Sequence, residues 1–187
     1  MIGLGYLDPN NPNPFSAAYG VSGDGTVVVG QSRDASGTSG LPEAFRWTSA
    51  TGMTGLGFLD PNNAGRQSAA LGVSGDGTSI VGWSTSAAAN GGPEAIRWTS
   101  ATGMTGLGGL SGGTGSYANA ISSDGTTVVG TSTVFGGVSD EAYRWNDGVM
   151  TGHGFLDAKK PSPPQRSFWG LRRRLDRGWD KLAGWSV

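Results

Sequence analysis

Few side chains in this 187-residue chain have the types and spacing that chemistry requires, and those few recur at near-regular intervals. His153 is the only histidine, so an imidazole general base would have to be this residue, with its substrate proton inside hydrogen-bond reach. It stands in "TGHG" where earlier copies read "TGLG", which makes a substitution in a strand the simpler reading. The chain has no cysteine, which excludes disulfides, thiol nucleophiles and thiolate metal sites. Asp24, Asp76 and Asp124 recur before a glycine and invite a calcium reading. They lack the glycine-rich nonapeptide context of calcium-binding β-rolls, and turn formation explains them. "GLGYLD" and "GTGSYA" carry glycines like those of phosphate loops, but no strand-to-helix junction follows to aim amides at a phosphate.

The pairs Arg46–Trp47, Arg97–Trp98 and Arg144–Trp145 remain as binding candidates. Equivalent positions of repeated units converge around an axis, and guanidinium and indole groups gathered there would form a ligand-facing ring. The plainer reading uses strand geometry: neighbouring residues face opposite sides, so one of each pair packs between units while the other meets acid or water. No catalytic set, metal cluster or cofactor motif is found in the sequence.

The elements that must position these residues are repeats. "IGLGYLDPNN", "TGLGFLDPNN", "TGLGGLSGG" and "TGHGFLDAK" recur, as do "GVSGDGTVVVG", "GVSGDGTSIVG" and "AISSDGTTVVG", and then "EAFRWTSATGM", "EAIRWTSATGM" and "EAYRWNDGVM". Gly25, Gly77 and Gly125 are spaced by 52 and 48 residues, and Trp47, Trp98 and Trp145 by 51 and 47. Units are assigned to about 2–53, 54–104 and 105–150, with a fourth starting at 151–157. Each reads as four short strands. "SAAYGVS" and "TVVVGQS" are joined through Gly23, Asp24 and Gly25, "EAFRWT" is the third strand, and "GMTGLGFL" the fourth, followed by "DPNN" turn chemistry. Such a unit cannot bury both faces alone, so units must stack, and this period with one tryptophan per unit predicts propeller blades.

"GLGFLDPNN", "SAALGVSGDG", "SIVGW" and "EAIRWTSATGM" resemble the HAF-repeat family of bacterial extracellular repeat proteins over residues 2–157. The resemblance implies propeller-like repeats, a place outside the cell of the kind autotransporter passengers occupy, and no catalytic residues. Glu43, Glu94 and Glu141 stand where the family name's histidine would be.

Charge divides the chain. Residues 1–157 hold five arginines against twelve acids, a balance of −7, while 158–187 hold eight basic residues against Asp176 and Asp180, a balance of +6. The tail reads as the fourth repeat in a shifted frame. Trp169 and Trp179, each followed by a codon beginning with G, become glycines ten apart, as Gly20 and Gly30 are and Gly72 and Gly82 are. The shifted codons between them permit G-V-S-A-D-G-S-T-V-V-G, and Gln165 permits the repeat serine eight residues after Asp157, as Ser16 follows Asp8 and Ser68 follows Asp60. This implies a net gain of one nucleotide, or loss of two, between Asp157 and Gln165. The competing reading takes Phe168, Leu171, Leu175, Trp179 and Leu182 as one side of a basic amphipathic helix for anionic membrane or nucleic acid.

Together these readings predict an all-β, propeller-like array of about three four-stranded antiparallel blades, open or incomplete, with a non-native or helical C-terminal tail. The expected function is a non-catalytic extracellular or cell-surface module, structural, adhesive or binding, cut from a longer protein. A ligand- or carbohydrate-binding propeller is the alternative, and a hydrolase of surface polymers a more distant one. No cofactor and no nucleic acid is expected; the partners would be a surface ligand or neighbouring repeats. Open blade edges predict self-association. No run nears the roughly 20 apolar residues of a membrane-spanning helix, and "MIGLGYLDPN" lacks signal-peptide features, so export is not encoded in this stretch.

Overall fold

The structure, a computed structural model, describes residues 3–33, 40–111, 113–134 and 136–155. The basic tail, with the shifted-frame repeat and the amphipathic helix read there, lies outside the described residues. Among the described residues twelve strands follow in order: β1 (Ser16–Val21), β2 (Val28–Arg33), β3 (Pro42–Thr48), β4 (Gly52–Gly55), β5 (Ser68–Val73), β6 (Ser79–Thr85), β7 (Pro93–Thr99), β8 (Gly103–Gly108), β9 (Ser116–Ile121), β10 (Thr127–Val134), β11 (Ser139–Asn146) and β12 (Val149–Gly152). They form three antiparallel four-stranded sheets, ordered β1 to β4, β5 to β8 and β9 to β12, with no helix among the described residues. This is the expected all-β array of blades.

The first two strands of every blade meet with a bulge, at Ala18/Gly20, at Ala70/Gly72 and at Val129/Gly130. The extra residue pushes a carbonyl toward the partner strand, and the glycine of "VVG" faces it. A Cβ on Gly30, Gly82 or Gly130 would overlap the carbonyl oxygen of Ala17, Ala69 or Tyr117. The repeat therefore needs glycine there for close backbone approach rather than for an unusual torsion.

The loop joining these strands is longer than a two-residue hairpin. The Ser22 amide donates to the Val27 carbonyl at 2.9 Å, which closes four residues, and Gly25 takes φ +75° inside them. The tight primed turn occurs instead between β11 and β12, where Asp147 and Gly148 both have positive φ and Asn146 pairs with Val149. Its counterparts in the first two blades, "TSATG", close with Thr48 and Thr51, or Thr99 and Thr102, hydroxyls 2.8 Å apart.

The fourth strand is shorter than "GMTGLGFL", ending at Gly55 in the first blade and Gly108 in the second. The Glu43 carboxylate lies over Gly55 and accepts the Gly57 amide at 2.9 Å, bending the chain into the linker. Glu94 and Glu141 repeat this with Gly108 at 3.2 Å and Gly154 at 2.7 Å. The unit boundaries at 53/54, 104/105 and 150/151 consequently fall inside β4, β8 and β12.

Two clusters form the core, one per seam between blades. Val29 and Ala44 of the first blade pack on Ala70 and Ile80 of the second, with Trp98 and Met104 at the margin. Val81 and Ala95 of the second pack on Ala118, Val128 and Tyr143 of the third, with Trp145 and Met150 at the margin. Fully buried valine and isoleucine side chains are each worth about 1.5–3 kcal/mol, so these seams carry the hydrophobic stabilisation of the array.

Tyr143 occupies the place of Phe45 and Ile96, only 1% exposed, and its hydroxyl has no partner among the described residues. Burial also raises its pKa well above the ordinary phenol value. Tyr143→Phe should stabilise the fold by about 1 kcal/mol, read as a higher urea midpoint, because it removes an unsatisfied buried hydroxyl while keeping the ring. Gly82→Ala should cost about 3 kcal/mol in the same measurement, because a methyl has no room against the Ala69 carbonyl.

Candidate interaction surface

The serines that recur in each repeat act at the seams and linkers. The serine opening the first strand is the clasp. Ser68 accepts the Ala44 amide of the preceding blade at 2.9 Å and donates to the Gly57 carbonyl at 2.7 Å. Ser116 accepts the Ala95 amide at 2.9 Å and donates to the Gly108 carbonyl at 2.6 Å. Both serines are buried. A second serine, near the end of the second strand, holds the linker: Ser32, Ser84 and Ser132 accept the amides of Leu7, Leu59 and Leu110 at 3.0–3.1 Å. At the loops, main chain joins blade to blade, with the Gly23 amide donating to the Gly75 carbonyl at 2.9 Å and the Gly75 amide to the Ser123 carbonyl at 2.8 Å.

The arginine–tryptophan pairs are distributed among these seams. Val29 pairs with Arg46 and Val28 with Trp47, and the same register joins Val81 to Arg97, Ile80 to Trp98, Val129 to Arg144 and Val128 to Trp145. Directly paired residues share a face, so each arginine faces the following blade and each tryptophan the preceding one. Trp98 packs on the first core cluster and Trp145 on the second. The Arg97 Nη2 donates to Ser79 Oγ at 2.9 Å, and its buried Nε has no acceptor among the described residues. The Arg144 Nη2 donates to Thr127 Oγ1 at 3.4 Å on a face that no fourth blade covers among the described residues. All six candidates lie on third strands, two strands out from β1, β5 and β9, which approach one another. Arg46, Arg97, Trp98 and Trp145 face the two seams, and Trp47 and Arg144 the outer faces of the first and third sheets.

The repeated aspartates close their own loops. Asp24 accepts from the Ser22 hydroxyl at 2.7 Å and from the Thr26 amide and hydroxyl at 3.0 and 2.9 Å. These bonds hold its carboxyl down at about 2, the Ser22 hydroxyl contributing most, then the Thr26 amide. Asp76 and Asp124 are lowered by the same groups of their own turns. His153 is exposed, its amide donating to the Ala142 carbonyl at 2.9 Å. Among the described residues, no group of three or more His, Asp or Glu side chains could hold a metal ion. An open depression of about 80 Å³ beside Pro93, Gly109 and Thr114 has one ionisable lining residue, Glu94, which is already engaged by the Gly108 amide.

Among the described residues, two sheet faces carry no neighbouring blade. On the face of the first sheet turned away from the second, Val21 is 59% exposed where Val73 and Ile121 are partly covered, and Ala18 is exposed where Ala70 and Ala118 are buried. On the face of the third sheet turned away from the second, Val129 is 43% exposed where Val29 and Val81 are 0%, and Ala142 is exposed where Ala44 and Ala95 are buried. Sequence reasoning located the serines only as repeat markers and the glutamates only as departures from a family pattern. The signal for their role was their recurrence at one phase of the repeat, and their partners sit on other strands.

No protein-family model matches the sequence, and no curated protein sequence does. Among solved structures the fold is similar to that of TolB from Acinetobacter baumannii, a β-propeller, with a TM-score of 0.53 and 15% sequence identity. The match covers 74% of this chain and 32% of that one, so the chain spans about a third of that protein's length. At this identity the likeness concerns the fold, and it agrees with a propeller-like array of blades.

The loop carboxylates give the array an acid dependence of known sign. Their folded pKa values lie below the unfolded value of 3.8, so their contribution is complete above about pH 4 and is lost as pH falls toward 2. Thermal melts between pH 5 and 2 should show the midpoint falling across that window, and Asp24→Asn should flatten part of the fall.

Proposed function

We propose that this chain is a non-catalytic module of an exported bacterial surface repeat protein, where it serves as a structural, adhesive or binding array, and that it is a piece of a longer run of repeats. The observation that carries the reading is how the repeated polar groups are used. The serines, glutamates and aspartates that recur in every unit bond to main chain within their own turns, linkers or seams. An enzyme needs polar groups held facing a substrate, whereas these hold turns, linkers and seams. The propeller fold supports the binding-module class, and the resemblance to extracellular HAF repeats supports the placement outside the cell.

Two measurements test it. An antibody against the repeat body should label intact cells of the source bacterium, and brief protease treatment of those cells should remove the signal. Signal confined to the cytosolic fraction would overturn the surface placement. Purified chain incubated with cell-surface polysaccharide and peptide substrates should release no product; saturable turnover abolished by His153→Ala would replace the module reading with an enzymatic one.

A further inference from the structure

The linker into the third blade departs from the one before it, and the departures surround one depression. Ser68 follows Gly57 by eleven residues, whereas Ser116 follows Gly108 by eight. At the first seam Phe58 stands after Gly57, and the Arg66 guanidinium lies over its ring at 5.1 Å from the centroid. At the second, Gly109 takes the place of Phe58, and Thr114, two residues before the clasp serine, takes that of Arg66. Both members of the pair are replaced together, and the depression of about 80 Å³ opens beside Gly109, between this linker and the loop that carries Ala88 and Ala89. A Cβ on Gly109 would stand 3.9 Å from the Gly115 carbonyl oxygen and from the Ser116 Cβ, and both residues line the same space.

The walls are held by their own bonds. On one side the Ser86 amide donates to the Gly92 carbonyl at 3.0 Å, and the Gly91 and Gly92 amides donate to the Ser86 and Ala89 carbonyls at 2.8 Å. On the other, the Leu110 and Thr114 amides donate to the Ser132 and Thr133 hydroxyls at 3.0 and 3.2 Å. The lining is alanine, proline and glycine main chain around Glu94. Oε1 of Glu94 accepts the Gly108 amide at 3.2 Å, while Oε2 has no donor among the described residues.

We propose that this depression binds an alkylguanidinium group, the end of an arginine side chain presented by a partner peptide. The first seam carries its own guanidinium; the second keeps the carboxylate and the space and takes the cation from another molecule. The guanidinium donates to Oε2 while Oε1 keeps the Gly108 amide, and the aliphatic stem lies on Pro93 and Ala89. Size and sign select this group. A benzene-sized ring needs a cavity of about 150 Å³, and an anion would meet Glu94 with no cation in the lining. An ammonium is more strongly hydrated than a guanidinium and gives up more on entering apolar walls. Walls already fixed cost little to order on binding. The proposal adds a ligand to the module reading, and its failure leaves that reading, which rests on turn and seam bonds, as it stands.

The test is titration of the isotopically labelled full chain with N-acetyl-arginine amide, followed by backbone amide shifts. Residues 88–94, 108–110 and 113–116 should shift together and saturate with a dissociation constant of about 1 mM. N-acetyl-citrulline amide, which keeps the shape and loses the charge, should bind at least about fivefold more weakly. Glu94→Gln should weaken the arginine probe by a similar factor, since its amide oxygen still accepts from Gly108. Gly109→Phe should fill the space and abolish the shifts with the remaining spectrum in place. Glu43→Gln, at the first seam, should bind as the wild type does. A titration without saturable shifts would overturn the proposal, as would equal binding of the citrulline probe or undiminished binding by Glu94→Gln. Shifts spread over the Asp24, Asp76 and Asp124 loops would also overturn it, because arginine would then be collecting on any carboxylate.

Discussion

The array depends on how closely main chain can approach main chain where the first strands of successive blades come together. A Cβ placed on Gly20 would stand 3.4 Å from the Gly72 Cα, and one placed on Gly72 the same distance from the Ala120 Cα. At that separation the loops bond directly, Gly23 to Gly75 and Gly75 to Ser123, and the clasp serines reach across. Hydrophobic burial supplies most of the energy, but it is not directional. The hydrogen bonds set the register, because a slip by one residue would leave a buried serine and a buried amide without partners.

Seen from the seams, differences among the repeats have a spatial logic. The positions facing an internal seam are apolar and tightly covered, and substitutions that would be costly there occur in the last unit. His153 stands in the leucine place of the last unit and is exposed there. The middle blade, covered on both sides, has the most complete set of buried strand residues, with β6 buried along nearly its whole length. Covering therefore follows the stacking order.

Much of the fold was legible in the chain because its signals are local. The β-branched runs before "VG", the aspartate–glycine loops and the "RW" strands each declare themselves within a few residues. The positions of the four strands and their stacking followed from period and from the need to cover a sheet. The loop length did not, since an Asp-Gly pair suggests a tight turn, whereas the Ser22 hydroxyl accepting the Val27 amide builds a longer one. The fourth strand also read too long, because what ends it is a carboxylate from the neighbouring strand. For the candidate binding pairs, strand alternation correctly placed Arg97 and Trp98 on opposite faces. It could not tell that both faces would lie in seams, a property of the stack rather than of the strand.

The bonds that cross a seam involve main-chain atoms and a serine that every unit carries at the same phase, so no seam is written for one particular neighbour. Recombination between two copies of the repeat in the gene, at whatever point within the period, rejoins equivalent strand ends and brings in a blade whose clasp, linker and loop bonds already match both sides. Such an array can change in length by whole units without passing through an intermediate with a defective interface, and that makes repeat number a quantity free to drift or to be selected.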